Sequence, residues 1–143
     1  MKGIRMDKPL NGQIAVIVGA SSGMGRATAV SYAEAGASVV VAARSGEKLE
    51  ALAAEIGDQA VVCQTDVRDV AQVEKLIQTT KERFGRIDIL VYATGTNIPD
   101  RSLDNLTHDT WQMMIGTNLT GAFNCTKAVL PIMKEQQAGL IIY

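Results

Sequence analysis

Short apolar runs alternate along this chain with segments whose apolar residues recur at helical spacing. Residues 13–18 (QIAVIV) form a β-branched run that stops at a glycine, the pattern of a strand buried on both faces. Residues 23–35 are small and helix-compatible, with Gly36 as a C-terminal stop. Residues 38–43 (SVVVAA) predict a second strand. Leu49, Leu52, Ala53 and Ile56 then recur at i, i+3, i+4 and i+7 on a helix closed by Gly57. The alternation repeats with a strand over 60–64 (AVVCQ), a helix with Val70, Val73, Ile77, Thr80 and Phe84 on one stripe, and a strand over 87–92 (IDILVY). A loop over 93–106 follows, carrying Gly95 and Pro99. Beyond it Trp111, Met114, Ile115, Asn118, Ala122, Thr126, Val129 and Met133 share one helical face. Thr107 is the expected N-cap, and Pro131 is expected to kink or loosen the last turns. Gly139 ends that segment, and residues 140–143 (LIIY) begin another buried strand.

Strands separated by helices imply right-handed crossovers and a parallel sheet covered on both faces. The expected fold class is therefore α/β, a doubly wound parallel sheet of the Rossmann type, as a single domain over 1–143. A fifth strand with no helix after it would leave an edge and an apolar face uncovered, so the sheet is expected to be truncated after that strand.

Composition narrows the function classes. A chain of 143 residues that is 47% hydrophobic and 20% charged can bury a core and is not a disordered segment. Fourteen Lys and Arg stand against 15 Asp and Glu, so no basic excess exists to hold a phosphate backbone, and no nucleic-acid partner is expected. No apolar run approaches the roughly 18 residues of a membrane span, so no membrane partner is expected either. Lys2, Arg5 and Lys8 before the apolar run 14–20 imitate a secretory leader, but Asp7 and the following glycines fit one poorly. Cys63 and Cys125 cannot build a disulfide framework, and no CxxC or Cys/His cluster suggests a metal site. Two reduced, buried thiols in a cytoplasmic protein are expected.

The strongest local signal follows the first strand. Gly19-Ala20-Ser21-Ser22-Gly23-Met24-Gly25 has the spacing G-x3-G-x-G and opens directly into a helix. Residues without Cβ let backbone approach a pyrophosphate, and the helix start supplies free N–H groups and a positive dipole end. The plainer reading is a tight strand-to-helix turn.

This spacing resembles that of the short-chain dehydrogenase/reductase family, especially its 3-oxoacyl-carrier-protein-reductase-like members. Three further features agree: Asp66-Val67 after the third strand, Asn118-Leu119-Thr120-Gly121 matching N-x-x-G, and Trp111 with Ala128-Val129-Leu130-Pro131. The match runs from Gly12 to Tyr143. The resemblance implies cofactor-binding positions at Gly19, Ser21, Ser22, Gly23, Met24 and Gly25, at Arg44 and Ser45, at Asp66 and Val67 beside the adenine, and at Ala93 and Gly95. It implies a catalytic place for Asn118, holding a water in a proton relay; the plainer reading is a buried amide that braces the sheet. It also implies a homo-oligomer that packs through the region around Asn118.

Two departures matter. Tyr92-Ala93-Thr94-Gly95 stands where the family carries Asn-Asn-Ala-Gly, and only the glycine is in register. The family's serine and Tyr-x-x-x-Lys are not among the 143 residues: Gly36 and Thr96 stand four positions after Tyr32 and Tyr92, and Tyr143 lies in the strand before the expected serine. This form is therefore expected to be inactive.

Ala43 ends the second strand with no Asp or Glu beside it, and Arg44 offers a permanently charged fork suited to a 2′-phosphate. NADP(H) is thus expected over NAD(H), by a modest margin because Ser22 is not basic. The expected function is an NADP(H)-dependent oxidoreductase acting on a small-molecule carbonyl or alcohol by hydride transfer. A non-catalytic nucleotide-binding or interaction protein is the alternative. A methyltransferase-like binder of an adenosine cofactor is a third reading, disfavoured by Asp66-Val67 with Arg44. His108, Lys127 and Lys134 read as surface residues, and Trp111, Met113 and Met114 as core or interface.

Overall fold

The computed structural model describes residues 8–143, so Lys2, Arg5 and Asp7 of the leader-like stretch lie outside the described residues. The elements run β1 (Ile14–Val18), α1 (Gly23–Glu34), β2 (Ser38–Ala43), α2 (Gly46–Ile56), β3 (Ala60–Gln64), α3 (Val70–Phe84), β4 (Ile89–Tyr92), α4 (His108–Ile115), a π-turn (Gly116–Thr120), α5 (Gly121–Gln136) and β5 (Leu140–Ile142). All pairings are parallel, in the order β3-β2-β1-β4-β5. This is the doubly wound α/β sheet that the alternation of runs predicts.

Strand periodicity divides the core in two. Val16, Val18, Val40 and Leu90 point to one face and meet Val73, Leu76 and Val129 from α3 and α5. Ala15, Ile17, Val39 and Val41 point to the other, against Ala29 and Ala33 of α1 and Leu49 and Leu52 of α2. Every residue of β1 is buried, as a central parallel strand with both faces covered requires. Helix ends follow local chemistry. Asp69 caps α3 by accepting from the N–H groups of Ala71 and Gln72, and Gly85 closes it in the left-handed conformation. Thr107 caps α4 by accepting from the Thr110 N–H, and the Thr107 N–H donates in turn to the Thr110 hydroxyl oxygen.

Several expectations need correction. Strand β4 begins at Ile89 rather than 87, because the Ile87 N–H and C=O pair with the Gln136 side chain instead of a neighbouring strand. Val70 is exposed at the first turn of α3, and Leu76 takes a place in the buried stripe. Cys63 is only half-buried, on an edge strand; Cys125 is fully buried, and burial pushes its thiol up to about 12. Pro131, expected to kink or loosen the last turns, lies inside α5, which continues to Gln136; Pro131 and Lys127, whose carbonyl loses its helical donor, are both exposed.

The largest correction concerns the face drawn from Trp111 to Met133. The π-turn closes the Gly121 N–H onto the Gly116 carbonyl and inserts one residue into the helical count. The stripe is thereby rotated. Helix α5 buries Gly121, Asn124, Cys125, Val129 and Met133, while Trp111 is 48% exposed and Asn118 is exposed. Buried Tyr92 donates its hydroxyl to the Thr117 carbonyl inside this turn, and burial raises its pKa. A Cβ at Gly121 would run into the Tyr92 hydroxyl and lie 2.6 Å from Val67 Cγ2. Gly121→Ala should therefore lower stability by about 1–3 kcal/mol, the usual effect of overfilling a packed contact. Urea unfolding followed by circular dichroism measures it. An unchanged midpoint would mean that the turn yields without resistance.

Candidate functional site

After β3 the chain returns across β1 to start β4 on its far side, so β1 and β4 are neighbours that lead to opposite wings of the sheet. The crevice beyond the carboxyl ends of such strands is where open α/β sheets take ligands. Here it is a cleft of ≈ 590 Å³, within the usual range for small-molecule sites.

The glycine turn forms one wall, and its three glycines do different things. A Cβ at Gly19 (φ +90°) would lie 2.6 Å from the Thr94 nitrogen, so β1 and the segment after β4 meet backbone to backbone. A Cβ at Gly25 would overlap the Gly19 carbonyl, which seats α1 against the turn. Gly23 differs: its φ is +54°, yet a Cβ there meets no protein atom within 4 Å. Its freedom serves the backbone conformation and the open space of the cleft. The α1 N-terminus is also uncovered. Ser22 makes no side-chain cap, and no acidic residue stands in the first turn. Its N–H groups are left to satisfy an anion.

The other walls come from the ends of the neighbouring strands. Arg44, Ser45 and Lys48 line the cleft after β2, and Thr65, Asp66 and Val67 line it after β3. Ala93, Thr94 and Gly95 follow β4, and Thr117 reaches in from the π-turn. Every predicted cofactor position except Gly25 therefore borders one cleft; Gly25 lies buried beneath it. The Arg68 guanidinium beside Asp66 holds its carboxyl below the usual carboxylate range, with a smaller contribution from Arg44.

Asn118 is not in this cleft. It lines an adjoining hollow with Tyr92, Thr96, Ala122 and Tyr143, and the two spaces share Thr94 and Gly95. Its Oδ1 accepts from the Thr96 N–H at 2.8 Å and its Nδ2 donates to the Thr96 carbonyl at 2.9 Å. The amide braces the segment after β4 rather than the sheet. The buried bracing amide is Asn124, whose Nδ2 donates to the Val67 carbonyl at 2.9 Å. The sequence motifs single out neither Asn124 nor Lys48. Their only signals are a polar residue three positions after Gly121 and a second cation four positions after Arg44. His108, Lys127 and Lys134 are exposed. Among the described residues no helix is long and apolar enough to cross a membrane, and no group of three or more His, Cys, Asp or Glu could hold a metal ion.

The family profile described as short chain dehydrogenase matches residues 13–143. The chain belongs to the short-chain dehydrogenase family. It is 42% identical over 137 residues to a 3-oxoacyl-[acyl-carrier-protein] reductase of Synechocystis sp., covering 93% of this chain and 55% of that protein. An uncharacterized oxidoreductase of Listeria monocytogenes is 38% identical over 136 residues, with 93% and 54% covered. The chain thus spans about half the length of the curated relatives it matches. Among solved structures, a 3-ketoacyl-(acyl-carrier-protein) reductase from Brucella melitensis complexed with NADH superposes with TM-score 0.86 at 31% identity, over 89% of this chain and 52% of that one. Serine dehydrogenase from Escherichia coli superposes with TM-score 0.85 at 32% identity, covering 90% and 60%.

In this member of the short-chain dehydrogenase family, the glycines separate by experiment. Gly19→Ala and Gly25→Ala should lose several kcal/mol or fail to fold, because each Cβ meets backbone that cannot swing aside. Gly23→Ala should remain folded, at a cost of about 1 kcal/mol for its positive φ. Thermal melts of the three variants check the order. A Gly23 variant as damaged as the other two would contradict it.

Proposed function

We propose that this chain supplies the NADP(H)-binding part of an oxidoreductase that acts on a small-molecule carbonyl or alcohol. The observation that carries the reading is the uncapped α1 N-terminus facing the open space at Gly23, a cradle that fits a pyrophosphate. Ser21, Ser22, Gly23 and Met24 hold the phosphates through backbone N–H groups. Arg44 and Ser45 meet the adenosine ribose, Asp66 and Val67 the base, and Ala93 and Gly95 the stretch toward the nicotinamide. When bound, the cofactor supplies the hydride.

The preference for NADP(H) rests on charge. Arg44 and Lys48 both border the cleft, while neither Asp nor Glu stands beside Ala43 in the sequence at the tip of β2, the place from which a carboxylate would repel a 2′-phosphate. The Brucella melitensis relative is complexed with NADH, so the choice between the two cofactors turns on these residues. Asn118 keeps one N–H and one acceptor position beyond its two bonds to Thr96, enough to order a water beside the hollow. Proton donation needs a side chain of suitable pKa, and burial with the bond to Thr117 removes Tyr92 from that role. With no Tyr-x-x-x-Lys among them, residues 1–143 by themselves bind cofactor without appreciable turnover. Exposed Leu119, Phe123 and Leu130, with Trp111, form an apolar surface around the π-turn and α5 that suits a second copy of the chain in a cytoplasmic homo-oligomer.

Titrating NADPH and NADH into the wild type and Arg44→Ala tests the reading. NADPH should bind more tightly than NADH, and the substitution should weaken NADPH selectively by about 1–3 kcal/mol. The same samples should consume no NADPH with short ketones or 3-oxoacyl thioesters. Equal losses for both cofactors would remove Arg44 from the phosphate, and robust turnover would require a different acid.

A further inference from the structure

The Arg68 side chain is not accounted for by the cofactor contacts above, yet it takes more of Asp66 than any other group does. Its backbone N–H donates to Asp66 Oδ1 at 3.0 Å, its Nε to the same oxygen at 3.1 Å, and its Nη2 to Oδ2 at 2.6 Å. A carboxylate offers about four acceptor positions, two on each oxygen. Oδ1 is therefore filled, and one position remains on Oδ2. The Asp66 backbone is held as well: its N–H donates to Gln72 Oε1 at 2.9 Å, and Gln72 Nε2 donates in turn to Asp69 Oδ2 at 2.9 Å. The Arg68 stem lies over Gly116, where a Cβ would come within 3.4 Å of its Cδ. Gly116 opens the π-turn that carries Thr117 to the cleft and Asn118 to the hollow.

We propose that Arg68 is a positioning residue for base recognition: it fixes the Asp66 carboxylate with a single free acceptor that takes a hydrogen bond from the exocyclic amine of an aminopurine nucleotide. This rests on the cofactor reading given above and deepens it, since the carboxylate alone would accept donors from many directions. A base with an oxo group at the same place presents an acceptor to an acceptor, and the fixed carboxylate cannot turn away to relieve the repulsion. Side chains 43% and 25% exposed make an ion pair of this kind a small contributor to stability, so its removal leaves the fold intact. Arg68→Met keeps the apolar stem over Gly116 and removes the fork. Arg68→Lys keeps the charge without the paired geometry.

The test titrates the full 143-residue chain with NADPH and with the reduced dinucleotide phosphate that carries hypoxanthine in place of adenine, with circular dichroism to verify folding. The wild type should prefer the adenine form by about tenfold, the scale of one hydrogen bond with a charged acceptor. Arg68→Met should bring the ratio within about twofold, mainly by weakening the adenine form, and Arg68→Lys should fall between. A folded Arg68→Met that keeps the wild-type ratio would overturn the proposal and leave the cofactor reading standing, as would a wild type that binds both forms equally. Binding of neither form by the wild type would overturn both.

Discussion

The cleft end of the molecule depends on a place where three stretches of backbone meet with no side chain between them. Gly19 leaves β1 against the Ala93–Thr94 peptide that leaves β4, and Gly25 at the start of α1 rests on the Gly19 carbonyl. The sheet hydrogen bonds carry this contact directly. The N–H groups of Gly19 and Ala20 both donate to the Ala42 carbonyl, and the Ala93 N–H donates to the Val18 carbonyl. The ends of β2, β1 and β4 are thus held at one level, and α1 starts with its N–H groups facing the space they enclose. Any Cβ at Gly19 or Gly25 would separate these parts, and the anion-binding geometry would go with them.

The third wall of the cleft is tied to the opposite side of the molecule. Val67 sends its carbonyl to Asn124 and packs its side chain where Gly121 has none. Tyr92 fills the same corner and bonds to the Thr117 carbonyl. The tyrosine hydroxyl reaches the main chain inside the π-turn, so the corner and the turn are held together. That turn places Asn118 over the segment after β4, where it pairs with the Thr96 main chain. Val67 and Asn118, at the two ends of the site, are thereby joined through the same short piece of helix.

Much of this was legible in the residues. Apolar runs mark β1 and β2 because a parallel strand buried on both faces has to be apolar at nearly every position, and the edge strand β3 keeps the same apolar run although it is only half-buried. The cleft was legible for a related reason, since glycines at a strand-to-helix turn leave a record of close backbone approach. The π-turn was not. One extra residue rotates everything after it by about 100°, and the apolar spacing across Gly116–Thr120 fits an uninterrupted helix equally well. Ile87 reads as strand because it is apolar and buried, whereas its pairing with Gln136 is a contact 49 residues away. Lys48 and Asn124 sit at ordinary helical positions, and only the folded chain brings them to the cleft and to Val67.

In the proposed function the glycine turn and the ends of β2, β3 and β4 act as one nucleotide site. Backbone amide chemical shifts recorded during an NADPH titration test it most directly. Concerted shifts, saturating with one affinity, are expected at Ser21–Met24, Arg44–Ser45, Asp66–Val67 and Thr94–Gly95. The α3–α5 face around Glu74, Phe123 and Ile132 should stay still. Shifts centred on that face, or none at the glycine turn at saturating NADPH, would contradict it.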